Sequence, residues 1–187
     1  MNAPRPLLPL DDALQRLAAA AAAHRITETD TVSCFQALGR VLAAEVRASI
    51  AVPGADNSAM DGYAMRAADV PVAGTVLPVS QRIPAGHVGQ PLRPGTAARI
   101  FTGALVPEGA DAVVMQEQCE AADEGRAVRV NTLPQAGLAI RRRGEDVADG
   151  AVVLTAGQRL SPQALGLAAS VGVGELPVWR RSYIFGW

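Results

Sequence analysis

The chain has 187 residues, 49% of them hydrophobic and 19% charged, with a formal net charge of −1. It is long enough to bury a core in one large domain or two small ones, and such a balance excludes both disorder by charge excess and a face built to grip nucleic acid. All 17 basic residues are arginine, which excludes lysine Schiff-base chemistry and a P-loop lysine.

In chain order, the first expected element is a helix capped by Asp11 or Asp12 and running to about His24, with Leu10, Leu14 and Leu17 on one side and alanines filling the rest. The alanine run invites confusion with a signal-peptide core. Acidic residues stand before it where a positive region belongs, so a packed helix is the expectation. Residues 30–33 have strand character, 35–41 suggest a helical turn around Gly39, and 41–47 extend again. From Pro53 to Gln135 the texture changes to short strand candidates at 76–80, 97–101, 112–116 and 127–130, punctuated by glycine and proline. That pattern predicts a small β-rich barrel or sandwich. Asp123-Glu-Gly125 reads as the turn of a hairpin leading into the last of these strands. Further on, 152–154 reads as a strand, and Ser161-Pro162 opens a helix that ends before Gly172. Helical texture at both ends of a β-rich middle suggests that the middle is an insertion into one outer domain.

Two cysteines, Cys34 and Cys119, stand far apart without a CxxC partner, and the histidines are His24 and His87. This is too sparse for a zinc site or a disulfide framework and fits a reducing cytoplasm. No uncharged apolar stretch reaches the roughly 20 residues that a bilayer requires, so a soluble chain without membrane contact is expected. Four of the seven aromatic residues, Trp179, Tyr183, Phe185 and Trp187, crowd the last nine positions. Such a break is compatible with a tail of different origin or with an aromatic edge strand.

Three polar, glycine-rich stretches carry the chemical signal. Val52 to Ala64 places Asp56, Asn57, Ser58 and Asp61 beside Gly62, an oxygen-rich loop that suits a hard cation or, equally, a self-bonded turn. Ile100-Phe-Thr-Gly-Ala104 offers the Thr102 hydroxyl and the backbone of Gly103 to an anion at a strand end, though Thr-Gly also ends ordinary strands. Arg141-Arg-Arg-Gly-Glu-Asp146 supplies guanidinium groups for an oxyanion and the carboxylates Glu145 and Asp146, or else a solvated charge run.

Taken together and in order, Asp56-Asn-Ser-Ala-Met-Asp-Gly-Tyr-Ala64, Thr102-Gly-Ala-Leu-Val-Pro-Glu-Gly-Ala-Asp111 and Arg141-Arg-Arg-Gly-Glu-Asp146 resemble the amino-terminal half of the bacterial molybdopterin molybdenumtransferases, the MoeA family, from about Pro9 to Val178. The resemblance implies an α+β fold: a β-rich barrel-like domain II (51–137) inserted into a small mixed α/β linker domain I (1–50 with 138–178), in an elongated homodimer. It implies Mg2+-dependent insertion of molybdate into adenylylated molybdopterin with release of AMP. Carried over by motif, Asp61, Thr102 and Asp146 are expected to be catalytic, with Asp61 also the metal carboxylate. Asn57, Ser58, Gly103, Arg141 and Glu145 are expected to meet the pterin nucleotide.

Where the family goes on into a third and a fourth domain, 179–187 departs from its pattern. The expectation is therefore a chain of domains I and II only, inactive alone. Its alternatives are a non-catalytic dimerisation or binding module, or a split-enzyme half completed in trans by a carboxy-terminal half. A phosphate- or metal-binding β-module unrelated to molybdenum is the third reading.

Overall fold

A computed structural model describes residues 8–181. In chain order its elements are α1 (Leu10–Ala23), β1 (Thr29–Ser33), β2 (Val46–Arg47), β3 (Asn57–Ser58), β4 (Gly62–Met65), β5 (Thr75–Ile83), β6 (Ala97–Ile100), β7 (Ala112–Met115), β8 (Cys119–Ala122), β9 (Ala127–Val130), β10 (Ile140–Arg141), β11 (Val152–Leu154), α2 (Pro162–Ser170) and β12 (Glu175–Trp179), with short 3-10 turns between some of them. They divide into two compact units, Met1–Val46 with Val152–Trp187, and Arg47–Ala151. The resemblance implies a return to the outer domain at 138; by contacts, the second compact unit runs to Ala151. Residues 140–151 stay with the second unit because β10 pairs with β3 and because Val52 and Ala48 bond the backbone of Val147 and Ala151.

In the first unit, β1 and β12 form an antiparallel pair with Thr29 opposite Trp179 and Ser33 opposite Glu175. α2 begins as its sequence predicts. Ser161 Oγ accepts from the backbone N–H of Ala164 with proline in the first turn, which satisfies one of the orphan donors of the helix. Ala164 and Ala168, one helical turn apart, then enter a core with Leu42, Leu154, Leu160, Leu176 and Val178. Trp179 ends a paired strand, one of the two readings open for the aromatic segment, in which buried Leu176 and Val178 alternate with more exposed neighbours. Tail residues 182–187 lie outside the described residues.

α1 differs from expectation in its packing. The helix forms over Leu10–Ala23, but Pro9 stands at its cap and Asp11 and Asp12 occupy the first turn, where carboxylates favour the positive end of the helix. None of its residues is buried, and Leu10, Leu14 and Leu17 are more than half exposed. Three leucines among alanines make a narrow stripe, so alanine propensity rather than burial accounts for this helix. Among the described residues no helix is long and apolar enough to cross a membrane.

The second unit is a curled sheet of six strands in the order β7-β4-β6-β5-β9-β8. The pairs are antiparallel except β5 with β6, which run parallel with an irregularity between Val79 and Gln81. Successive residues of its short apolar strands feed two cores. Ala64, Ala98 and Val113 join Ile83, Leu92 and Ile100 on one side, while Met65, Ala97 and Val114 join Leu77, Val128 and Val130 on the other. Both faces of the sheet are thereby covered, which is why these strands read as continuous apolar runs instead of alternating ones. The expected hairpin is present, β8 and β9 joined through Asp123–Gly125. β4 lies where glycine and polar residues read as a turn and carry no local strand signal.

Candidate functional site

Asp61 is the last residue before β4, and Thr102 is the second residue after β6. Gly62 pairs with Ile100 across those strands, so sheet register brings the two ends together. Asp61 Oδ1 accepts from the Thr102 backbone N–H at 2.8 Å and from the Thr102 hydroxyl at 2.7 Å. These two donors, the backbone one first, hold the Asp61 carboxyl below its ordinary value, with the Arg99 charge adding to the effect. The group is thus an anion with one oxygen engaged and Oδ2 free of protein donors among the described residues.

Asn57 and Ser58 form β3, which pairs with β10 so that Asn57 stands opposite Arg141 and Ser58 opposite Ile140. Ser58 also ties this strand to the Thr-Gly segment: its N–H donates to Ala104 and its carbonyl accepts from Gly103, whose φ of +79° suits a residue without a side chain. The three polar stretches, scattered over 90 residues of sequence, therefore meet through backbone bonds. Ser58 itself is only 1% exposed and its hydroxyl donates to the Met60 carbonyl. It builds the loop from inside, and Asn57 likewise donates to its neighbour Ala55.

The arginine segment is held by carboxylates from two directions. Asp56 accepts from Arg142 Nη1 at 2.6 Å and from the Arg143 N–H at 2.8 Å. Within the segment, Arg141 bonds Asp146 at 2.5 Å and lies 3.8 Å from Glu145, while Glu145 accepts from the Arg142 N–H. Arg141 and Asp146 are thus paired with each other and both partly exposed. Arg143 offers its backbone to Asp56, and Asp56 is a positioning group that the sequence suggested only as a possible ligand.

A second group was missed by the sequence reading. Arg82, Arg99 and Tyr63 stand opposite one another across β5, β6 and β4. The Arg99 guanidinium sits 5.2 Å from the Tyr63 ring centre and 4.5 Å from that of Phe101, and Arg82 covers Phe101 at 4.6 Å. Arg99 also donates to the carbonyls of Gly62 and Ile100 and to Gln116. It braces both strand ends that carry Asp61 and Thr102. The available signal was a lone arginine inside an apolar strand, and only register shows what it faces.

Among the described residues no three of histidine, cysteine, aspartate and glutamate group as metal ligands. Cys34 is buried and donates to the Val173 carbonyl, which shields it from reagents, and burial pushes the Cys119 thiol up to about 11, so Cys119 supplies no thiolate nucleophile at neutral pH. Iodoacetamide at pH 8 is expected to leave both cysteines of the folded chain largely unmodified. Rapid stoichiometric alkylation, read by mass, would contradict this.

Asp56 permits a pH prediction. The Arg143 backbone donor, then Arg142, holds its carboxyl below the ordinary value, so its contribution to loop order is complete above the unfolded value of about 3.9 and is lost only as pH falls through the lower folded value. Hydrogen exchange over 141–146 is therefore expected to show no Asp56-linked loosening between pH 7 and 5. A midpoint in that window would contradict the assignment.

Fold and site together define a two-unit α+β protein with an inserted, curled β-sheet and a loop cluster of paired carboxylate, hydroxyl and guanidinium groups suited to an anionic ligand. The sequence profile described as "MoeA N-terminal region (domain I and II)" matches residues 8–172, and the chain belongs to that family. It is 47% identical over 159 residues to molybdopterin molybdenumtransferase 2 of Mycobacterium tuberculosis, covering 82% of this chain and 39% of that protein. With the molybdopterin molybdenumtransferase of Haemophilus influenzae it shares 42% over 156 residues, 83% of this chain and 38% of that protein. The molybdopterin biosynthesis MoeA protein of Pyrococcus horikoshii superposes with a TM-score of 0.82 at 30% identity, over 94% of this chain and 45% of that one. The chain thus spans about two fifths of the length of the curated relatives it matches.

Proposed function

We propose that this chain serves molybdenum cofactor biosynthesis as the domain I and II portion of a molybdopterin molybdenumtransferase, a cytoplasmic activity in which molybdate is inserted into adenylylated molybdopterin and AMP leaves. The observation that supports this most directly is the Asp61–Thr102 pair, joined through Ser58 and Gly103 to the Asn57–Arg141 strand pair. Substrate oxyanions and a phosphate linkage suit this mixture. Arg141, partly exposed beside Asp146, can bind an oxyanion, while Asp61 remains ionised to orient a cation or a proton donor.

Mg2+ fits within limits. Asp61 Oδ2 is one carboxylate oxygen, and this ion commonly takes one or two carboxylates with the rest of its shell from substrate and water. When bound there, it neutralises charge on phosphate oxygens. Thr102 positions the carboxylate, Asp146 orients Arg141, and Glu145 fixes the Arg142 backbone. Ser58 acts by shaping the loop and not by touching substrate.

Because the matched region is two fifths of the relatives' length, the 187 residues by themselves are proposed not to complete insertion. They are proposed to work together with the remaining transferase domains of the family. The test mixes the purified chain with the carboxy-terminal portion of a relative, adenylylated molybdopterin, Mg2+ and molybdate. Cofactor formation is expected in the mixture and in neither component alone. Formation by this chain alone would overturn the dependence, and none in a mixture that demonstrably associates would overturn the reading.

A further inference from the structure

The first unit holds a cavity of about 610 Å3 that the transferase reading leaves without a role. Its wall brings together Arg25, Arg40, Arg180 and Arg181 with Trp179 and His24. We propose that this cavity is a binding site for a small phosphate-bearing anion, separate from the loop cluster of the second unit.

Four guanidinium groups around one cavity repel each other unless countercharge is supplied, and the chain supplies it only in part. Asp30 accepts from Arg40 at 2.8 Å and from Arg180 at 3.2 Å, and Glu28 accepts from Arg180 at 2.8 Å. Those two arginines are fixed in place by these bonds, with Arg40 also donating to the Trp179 carbonyl. Among the described residues, Arg25 and Arg181 have no carboxylate partner; Arg181 reaches only the Leu38 carbonyl, at 3.4 Å. Two carboxylates against four guanidinium groups leave an excess of positive charge in a concave space, which concentrates anions.

Donor capacity is also unspent. The Arg40 side chain is 11% exposed, and its Nε is buried without a hydrogen-bond acceptor, a deficit that buried donors rarely carry. Guanidinium forks match phosphate oxygens bidentately, and Trp179 also lines the cavity. A phosphate group is therefore the common chemistry, whether it comes as a free inorganic anion or as an aromatic phosphate ester.

Isothermal titration of the full chain at constant ionic strength, with inorganic pyrophosphate in one arm and phenyl phosphate in the other, tests the assignment. Saturable binding of at least one probe is expected, tighter for phenyl phosphate if Trp179 takes part in stacking and tighter for pyrophosphate if it does not. Arg25→Ala with Arg181→Ala, both at exposed positions, should weaken Kd by about tenfold or more while the folded circular-dichroism spectrum persists, the loss of one charged hydrogen bond. Arg126→Ala, an exposed site of the second unit, should change nothing. Absence of saturable binding, or affinity indifferent to the Arg25/Arg181 pair, or equally sensitive to Arg126, would overturn the proposal.

Discussion

Gly62→Ala is expected to destabilise the second unit severely, by about 3 kcal/mol. A methyl group built at Gly62 meets the Val114 carbonyl oxygen at 2.0 Å and its carbon at 2.8 Å, and lies 3.1 Å from the Met115 Cα. All three are backbone atoms of β7, so no side-chain rotation relieves the clash. β4 must separate from β7, and the pairs Gly62 with Met115 and Tyr63 with Val114 are lost or displaced. The core follows, because Ala64, Met65, Val113 and Val114 on these two strands are all fully buried. Urea unfolding of the two proteins measures the effect, and a variant within 1 kcal/mol of the parent would refute the close approach. The same shift moves Asp61, so binding and stability should fail together here.

Asp61→Asn is expected to separate the two. An amide oxygen still accepts from Thr102, so the fold should lose no more than about 1 kcal/mol. The negative charge is gone, however, and with it the orientation of a cation or proton donor at Oδ2. Cofactor formation in the reconstituted mixture should fall about a hundredfold or more. Since the Thr102 donors hold the Asp61 carboxyl below its ordinary value, the parent's activity should show no limb from Asp61 above about pH 4. Full activity of Asp61→Asn would remove Asp61 from the chemistry. A large loss of stability would instead mark it as a structural cap.

Much of the architecture was written in local signals. Ser161-Pro162 announced α2, and the apolar runs that became β6, β7, β9 and β11 stood between turn residues, because capping and turn conformations depend on a few neighbouring side chains. What could not be read locally was β4. Asp61-Gly62 has the composition of a turn, and only pairing between β6 and β7 makes the residues from Gly62 onward strand. Ser58 is a similar case. The resemblance placed it against the pterin nucleotide, while its polarity alone left a self-bonded turn open; in the fold its hydroxyl donates to the Met60 carbonyl inside the loop. α1 shows the opposite failure: helical propensity predicted the helix, but burial of its leucines required a surface that the described residues do not provide.

By itself, the sequence determined the α+β class, the inserted β-rich middle and the three polar motifs with their family, since each depends on residue type and short-range order. Tertiary structure alone decided which side chains meet: Asp61 with Thr102 across 41 residues, Asp56 with Arg142 across 86, and Arg99 between Tyr63 and Phe101. Strand register sets all of these. Register is a cooperative outcome of packing both sheet faces at once, and no short window of residues encodes it.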